Sequence, residues 1–136
     1  MAGWTLAISY LNTVANAYET ALGTSPTHEF RTGLPPATCE DPDSGLLLAT
    51  ITSPSDWLTA SSGGVKTLTG TWNSSDAINT GTIGHIRSKT SGGTCIGQGR
   101  VGVTGDTSVP VTVQTTAAVS GVPVRITSYT FTAAGT

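Results

Sequence analysis

Charge is what this chain has least of. Only 10% of its 136 residues are Asp, Glu, Lys or Arg, against roughly a quarter in an ordinary domain. The six basic residues, Arg31, Lys66, Arg87, Lys89, Arg100 and Arg125, are scattered, and the net charge is −2. Binding driven by phosphate neutralisation needs a clustered basic face. The nearest approach is Arg87 and Lys89 on one strand with Arg100 nearby, which reads as ordinary strand-surface charge, so no nucleic-acid partner is expected. Long apolar runs are also missing. No stretch of eighteen apolar residues occurs, so no membrane-spanning helix and no membrane partner are expected. Ala15-Asn16-Ala17 imitates a signal-peptidase site, but no basic residue precedes Arg31 and Ser9, Asn12 and Thr13 interrupt the apolar run. The N-terminal stretch is therefore expected to be retained structure rather than a signal peptide.

The motifs of chemistry are equally sparse. The two histidines, His28 and His85, lie mid-strand without HxH or HExxH spacing, so they are expected to pack at a buried or interface face, and no metal site is expected. Asp41, Asp43 and Gly45 resemble the start of a calcium loop, but Ala49 to Thr52 supply no further acidic ligand. There is no GxSxG, no Walker loop and no dinucleotide fingerprint, because Gly97-Gln98-Gly99-Arg100 does not open a helix. Catalysis and cofactors are not expected. The only cysteines, Cys39 and Cys95, have no CxxC partner. A disulfide closing a long loop and two free thiols are both compatible with the sequence. Trp4, Trp57 and Trp72 suit core or interface anchoring better than a sugar-stacking platform. Asn73-Ser74-Ser75 matches the glycosylation sequon, which is inert without a eukaryotic secretory route.

What the chain does have is hydroxyls and one helix. It contains 26 Thr and 14 Ser, a composition for a β-rich body whose polar surface hydrogen-bonds well and desolvates cheaply. The helix is expected at about residues 5–22. Ile8, Leu11, Val14, Ala15, Tyr18 and Leu22 recur at helical spacing and, with Ala7 and Ala21, span an arc of roughly 140°. Ser9, Asn12, Thr13, Asn16, Glu19 and Thr20 face the other way. Thr5 is the expected cap, and Gly23 before Ser25-Pro26 the stop. The stripe Ile8, Leu11, Val14, Tyr18, Leu22 must bury against its own sheet or a neighbouring subunit.

Strands are expected over Thr27–Thr32, Leu46–Thr52, Val65–Trp72, Thr82–Lys89, Thr94–Val103, around Val109–Gln114, and in one long strand over Val122–Thr132. A hairpin turn at Ser91-Gly92-Gly93 joins the middle pair. The fold class is therefore mainly β: a single domain over residues 1–136, a β-sandwich or jelly roll of about 7–8 antiparallel strands with one N-terminal amphipathic helix. Crossover helices are absent, so a parallel α/β sheet is not expected.

Five stretches carry a resemblance: Tyr18-Glu19-Thr20-Ala21-Leu22-Gly23; Phe30-Arg31-Thr32-Gly33-Leu34-Pro35-Pro36-Ala37; Asp43-Ser44-Gly45-Leu46-Leu47-Leu48-Ala49-Thr50-Ile51; Gly81-Thr82-Ile83-Gly84-His85-Ile86-Arg87; and Gly92-Gly93-Thr94-Cys95-Ile96-Gly97-Gln98-Gly99. In this order the chain resembles a family of small virion proteins of tailed bacteriophages. It looks most like the head decoration or cement proteins of Bordetella-type podophages. The resemblance implies a β-jelly-roll protein made in the host bacterial cytoplasm. It would bind the outside of the capsid as a dimer or trimer, with the major capsid protein as partner and the virion as its destination. The alternatives are a tail, baseplate or fibre component, or a carbohydrate-binding or adhesin module.

Overall fold

A computed structural model describes residues 5–70, 72 and 75–133; Trp4, Asn73 and Ser74 lie outside them. Among the described residues one helix, α1 (Ile8–Leu22), precedes ten strands: β1 (Thr27–Thr32), β2 (Leu47–Thr52), β3 (Val65–Thr67), β4 (Ser75–Asp76), β5 (Gly81–Lys89), β6 (Cys95–Val103), β7 (Val111–Val113), β8 (Ala117–Ala118), β9 (Pro123–Val124) and β10 (Ile126–Thr132). The main sheet runs β2-β1-β5-β6-β7-β10-β3, with β8 against the start of β5, and β4 pairs with β9 separately. The chain is mainly β, as its patterning requires.

Three features depart from the expected strand plan. The strands number ten rather than 7–8 because several pieces are only two or three residues long. The sheet is not wholly antiparallel, since β6 and β7 pair in parallel with Val101 opposite Val111 and Val103 opposite Val113. A helical crossover is unnecessary because β7 retraces only three residues; the loop 104–110 covers that distance, closed by Thr104 N–H to the Val113 carbonyl (3.0 Å). The long strand over 122–132 breaks at Arg125, where the chain changes partners: Val124 pairs with β4, while β10 pairs with β7 and β3. A register shift between Ile126 and Ser128 then bulges the strand at Thr127. The bulge moves Tyr129 onto the face occupied by Ile126. The expected strand Val65–Trp72 also stops early, as Gly70 turns with φ +73°.

Helix α1 begins at Ile8 with Ala7 as its cap residue, not Thr5, and no side chain caps it. Residues 7–10 are exposed, so water serves the unpaired N–H groups of the first turn. At the other end Gly23 (φ 79°) donates its N–H to the Glu19 carbonyl, the stop the sequence predicts. Leu11, Ala15 and Leu22 are buried, while Ile8 is exposed at the first turn, beyond the reach of the sheet. The side expected to face solvent is also used: Asn12 Oδ1 accepts Gly64 N–H (2.8 Å), Asn16 Oδ1 accepts from Lys66 Nζ (2.9 Å), and Lys66 pairs with Glu19 (2.9 Å). These bonds fix the helix to the hairpin leading into β3. Leu11 packs there because Gly64 has no side chain; a Cβ at that glycine would lie 2.8 Å from Leu11 Cβ.

The core gathers Leu22, Phe30, Leu48, Ile51, Trp57, Trp72, Ile83, Ile86, Val111, Val113 and Tyr129. No helix of the described residues is long and apolar enough to cross a membrane.

Candidate functional site

Charge concentrates where β1 and β5 lie side by side. Alternation puts Glu29 and Arg31 on one face of β1 and Arg87 and Lys89 on one face of β5, with Glu29 opposite Arg87. The loop between β1 and β2 folds over that face. It is joined to the start of β6 by a disulfide between Cys39 and Cys95, whose Cα atoms lie 5.4 Å apart. The loop delivers Asp43, which contacts Arg87 (2.6 Å), Lys89 (2.8 Å) and Arg31 (3.2 Å). Glu29 binds Arg31 (2.9 Å) and Lys89 (3.0 Å). The Arg87 guanidinium also donates to the carbonyls of Cys39 and Asp41. The hydrogen bond from Lys89, backed by the charges of Arg31, Lys89 and Arg87, holds the Asp43 carboxyl below the usual range against the opposing effect of its partial burial.

This network answers two expectations. Arg87 is not surface charge: its side chain is 1% exposed, so Arg87, Lys89 and Arg100 form no basic face. Arg100 alone of the three is exposed, opposite His85. Asp41 and Asp43 do not assemble a calcium loop either. Asp43 faces three cations, and Asp41 Oδ2 accepts the Thr38 N–H (3.0 Å). Among the described residues no group of three or more His, Cys, Asp or Glu is placed to hold a metal ion.

The second constellation is a buried chain of hydroxyls through His28. The imidazole is fully buried among Trp72, Trp57 and Tyr129, with ring centroids 4.7, 5.4 and 5.4 Å away. Burial pushes its pKa down to about 3, so the ring is neutral at ordinary pH. Both of its ring nitrogens are paired: Nε2 lies 3.3 Å from Ser53 Oγ, which also reaches the Pro26 carbonyl (3.3 Å), and Nδ1 lies 2.8 Å from Ser88 Oγ. Ser88 Oγ in turn pairs with Tyr129 Oη (2.7 Å), and Tyr129 Oη with Tyr18 Oη. One neutral tautomer of His28 runs this chain in one direction and the other runs it in reverse. Burial raises the pKa of both phenols, which keeps their protons in place. The Ser88–His28 pair is not an isolated nucleophile and base: both atoms of each bond are occupied, and Nε2 meets a serine rather than a carboxylate.

His85 is different. Nδ1 lies 2.9 Å from the Gly33 carbonyl and therefore carries the proton, while Nε2 is buried with no partner among the described residues. Trp57 and Trp72 are core residues, Trp72 Nε1–H donating to the Thr69 carbonyl (3.1 Å). Of the helix stripe, Tyr18 stacks on Phe131 (4.0 Å, 7°) and begins the hydroxyl chain.

A third feature sits at one end of the sheet. β1 ends there, β2 and β5 begin there, and β8 runs beside the start of β5. Leu34, Leu46, Ile78, Val119 and Val122 occupy the loops at this end, each about half exposed or more. Backbone bonds tie the loops together: Thr32 to Leu46, Ile78 to Leu48, Ala77 to Val122, and Val122 to Val119.

The described residues are mainly β, with one helix, a disulfide-stapled charged loop and an apolar end. No family model, curated protein or solved structure matches the chain.

Proposed function

We propose that the chain is a non-enzymatic structural protein of a tailed-phage virion, and specifically a head decoration or cement protein with a jelly-roll body that binds the outside of the capsid. The observation that carries this reading is the apolar end formed by Leu34, Leu46, Ile78, Val119 and Val122. Its loops are held in place by backbone hydrogen bonds, and a grouped apolar surface of this kind marks a protein contact. The ordered resemblance to phage virion proteins and the low-charge, Thr-rich surface support the same conclusion. Binding to the expanded shell and not to its precursor would stabilise the shell by mass action. Many copies of modest affinity suffice. The major capsid protein is the partner, and self-association as a dimer or trimer places several apolar ends on one lattice site.

The sugar-binding alternative loses its platform, since Trp57 and Trp72 are buried in the core. The test is cosedimentation of the purified protein with DNA-filled, tailless heads of the parent phage. Cement predicts saturable binding to heads that Ile78→Asp or Val122→Asp abolishes while the melting temperature stays unchanged. Cosedimentation with isolated tails instead of heads replaces the proposal with the tail-component reading, and binding to neither overturns both.

A further inference from the structure

Helix α1 meets the sheet through one set of side chains able to react with each other. The side chain of Lys66, on β3, is 6% exposed. Its Nζ touches two groups of the helix, Asn16 Oδ1 (2.9 Å) and Glu19 Oε1 (2.9 Å). Asn16 and Glu19 stand three residues apart and so share one face of the helix. Lys66 lies directly opposite Phe131 of β10, and Phe131 stacks on Tyr18 of the helix (4.0 Å). An aromatic ring therefore flanks the lysine on the helix side of the sheet. The bond from Gly64 N–H to Asn12 Oδ1 (2.8 Å) and the burial of Leu11 hold the helix at this height.

We propose that this set forms an isopeptide bond between Lys66 Nζ and Asn16 Cγ, with Glu19 as the proton carrier. An amine, a carboxamide and a carboxylate are the parts such a condensation needs. Asn16 Cγ lies one C=O bond, about 1.2 Å, behind the oxygen that Nζ already touches. A small turn of the lysine chain brings the amine onto that carbon, and two reactants held in this way gain a large effective concentration.

Glu19 takes a proton from the Lys66 ammonium along their hydrogen bond, which frees the Nζ lone pair. Nζ attacks Cγ, and the carbonyl π electrons move to Oδ1. Glu19 gives its proton to Nδ2; the Cγ–Nδ2 bond breaks as the C=O re-forms, and ammonia leaves. The surplus proton on Nζ passes through Glu19 to the ammonia. The net change converts a lysine ammonium and an asparagine amide into a secondary amide and an ammonium ion, with Glu19 again a carboxylate and nothing oxidised or reduced. The leaving ion has a way out, because Asn16 is exposed and the groove it lines with Glu19, Thr20, Thr24, Ser55 and Lys66 opens to solvent. The product ties α1 to β3 covalently. The inference is independent of the virion reading, because it rests on the helix anchor and not on the apolar end.

Mass spectrometry of the purified, reduced protein tests it. The intact mass should fall below the sequence mass by one ammonia. Trypsin should leave Lys66 uncut and release the peptide ending at Arg31 joined to the peptide ending at Arg87. Asn16→Ala should show the full sequence mass and cleavage at Lys66. Glu19→Gln still offers Lys66 an acceptor but carries no proton, so its linked fraction should grow at least about a hundredfold more slowly. The native protein decides the matter even where a variant fails to fold. A full intact mass after prolonged incubation, or loss of ammonia without the joined peptide, overturns the proposal. Linking of Glu19→Gln at the native rate overturns the part given to Glu19.

Discussion

His28 shows how much a single side chain commits the interior. Its folded pKa of about 3 lies below the unfolded value of 6.5, so between these limits the unfolded chain binds more protons. The contribution to stability is complete above pH 6.5 and is lost as pH falls toward 3, at up to about 1.4 kcal/mol per pH unit within the window. Urea unfolding at several pH values should show this slope, and His28→Gln should remove it whatever its cost at neutral pH. Asp43 acts later. Its folded pKa is depressed below the ordinary 3.8, so its contribution is present above that value and disappears only at lower pH. A slope that persists unchanged between pH 6 and 4 in His28→Gln would assign the titration elsewhere. Gly97 makes a second test at this scale. An alanine there must displace Tyr18, and with it the Phe131 stack and the hydroxyl chain; overpacking of this kind costs about 1–3 kcal/mol. A lowered melting temperature with weakened near-ultraviolet dichroism of the tyrosines is the expected result. None of this was legible along the chain: Ser53, Ser88 and Tyr129 stand far from His28 in sequence, and hydroxyls among so many threonines and serines carry no signal.

At the scale of elements, legibility followed the strength of the periodicity. β1 falls on the expected residues, Thr27–Thr32, because its alternation is clean and turns bound it on both sides. β5 and β6 and their hairpin turn follow for the same reason. The last strand misled because alternation continues through Arg125 while the hydrogen-bond partners do not, and partner choice is a tertiary matter. The charged faces of β1 and β5 misled in the same way. Glu29, Arg31, Arg87 and Lys89 alternate as solvent-facing residues do, and only the folding-over of the loop 38–45 buries them. Helix α1 was legible as a helix, yet its polar side does as much anchoring as its apolar stripe. Leu11, not Ile8, is the residue that fixes it: Leu11→Ala should cost about 2–5 kcal/mol by urea denaturation, while Ile8→Ala should be nearly silent. Leu11→Asp should prevent stable folding. If Leu11→Ala matched Ile8→Ala, the helix would not be docked as the structure has it.

For the molecule as a whole the disulfide and the ion network form one device. Cys39 and Cys95 are 56 residues apart in sequence, so their bond restricts the unfolded chain by about 4 kcal/mol on the loop-entropy account. It also holds the loop that gives Asp43 and two carbonyls to Arg87. Three cations, Arg31, Arg87 and Lys89, share two carboxylates, so losing either acid leaves positive charge poorly compensated under the loop. Asp43→Asn should therefore destabilise the folded state by about 2 kcal/mol, a discounted figure because Asp43 is itself partly exposed. Reduction, or Cys39→Ser with Cys95→Ser, should lower the urea midpoint by more, because it removes the cross-link and loosens the same loop. The two changes share a structure, so they should not be additive. In the reduced protein the extra cost of Asp43→Asn should shrink to about half, since the loop no longer holds Asp43 against Arg87. Amide exchange across residues 38–45 supplies the independent reading: slow in the oxidised protein, fast on reduction, with β1 and β5 protected in both. Full additivity with unchanged exchange would separate the staple from the ion network.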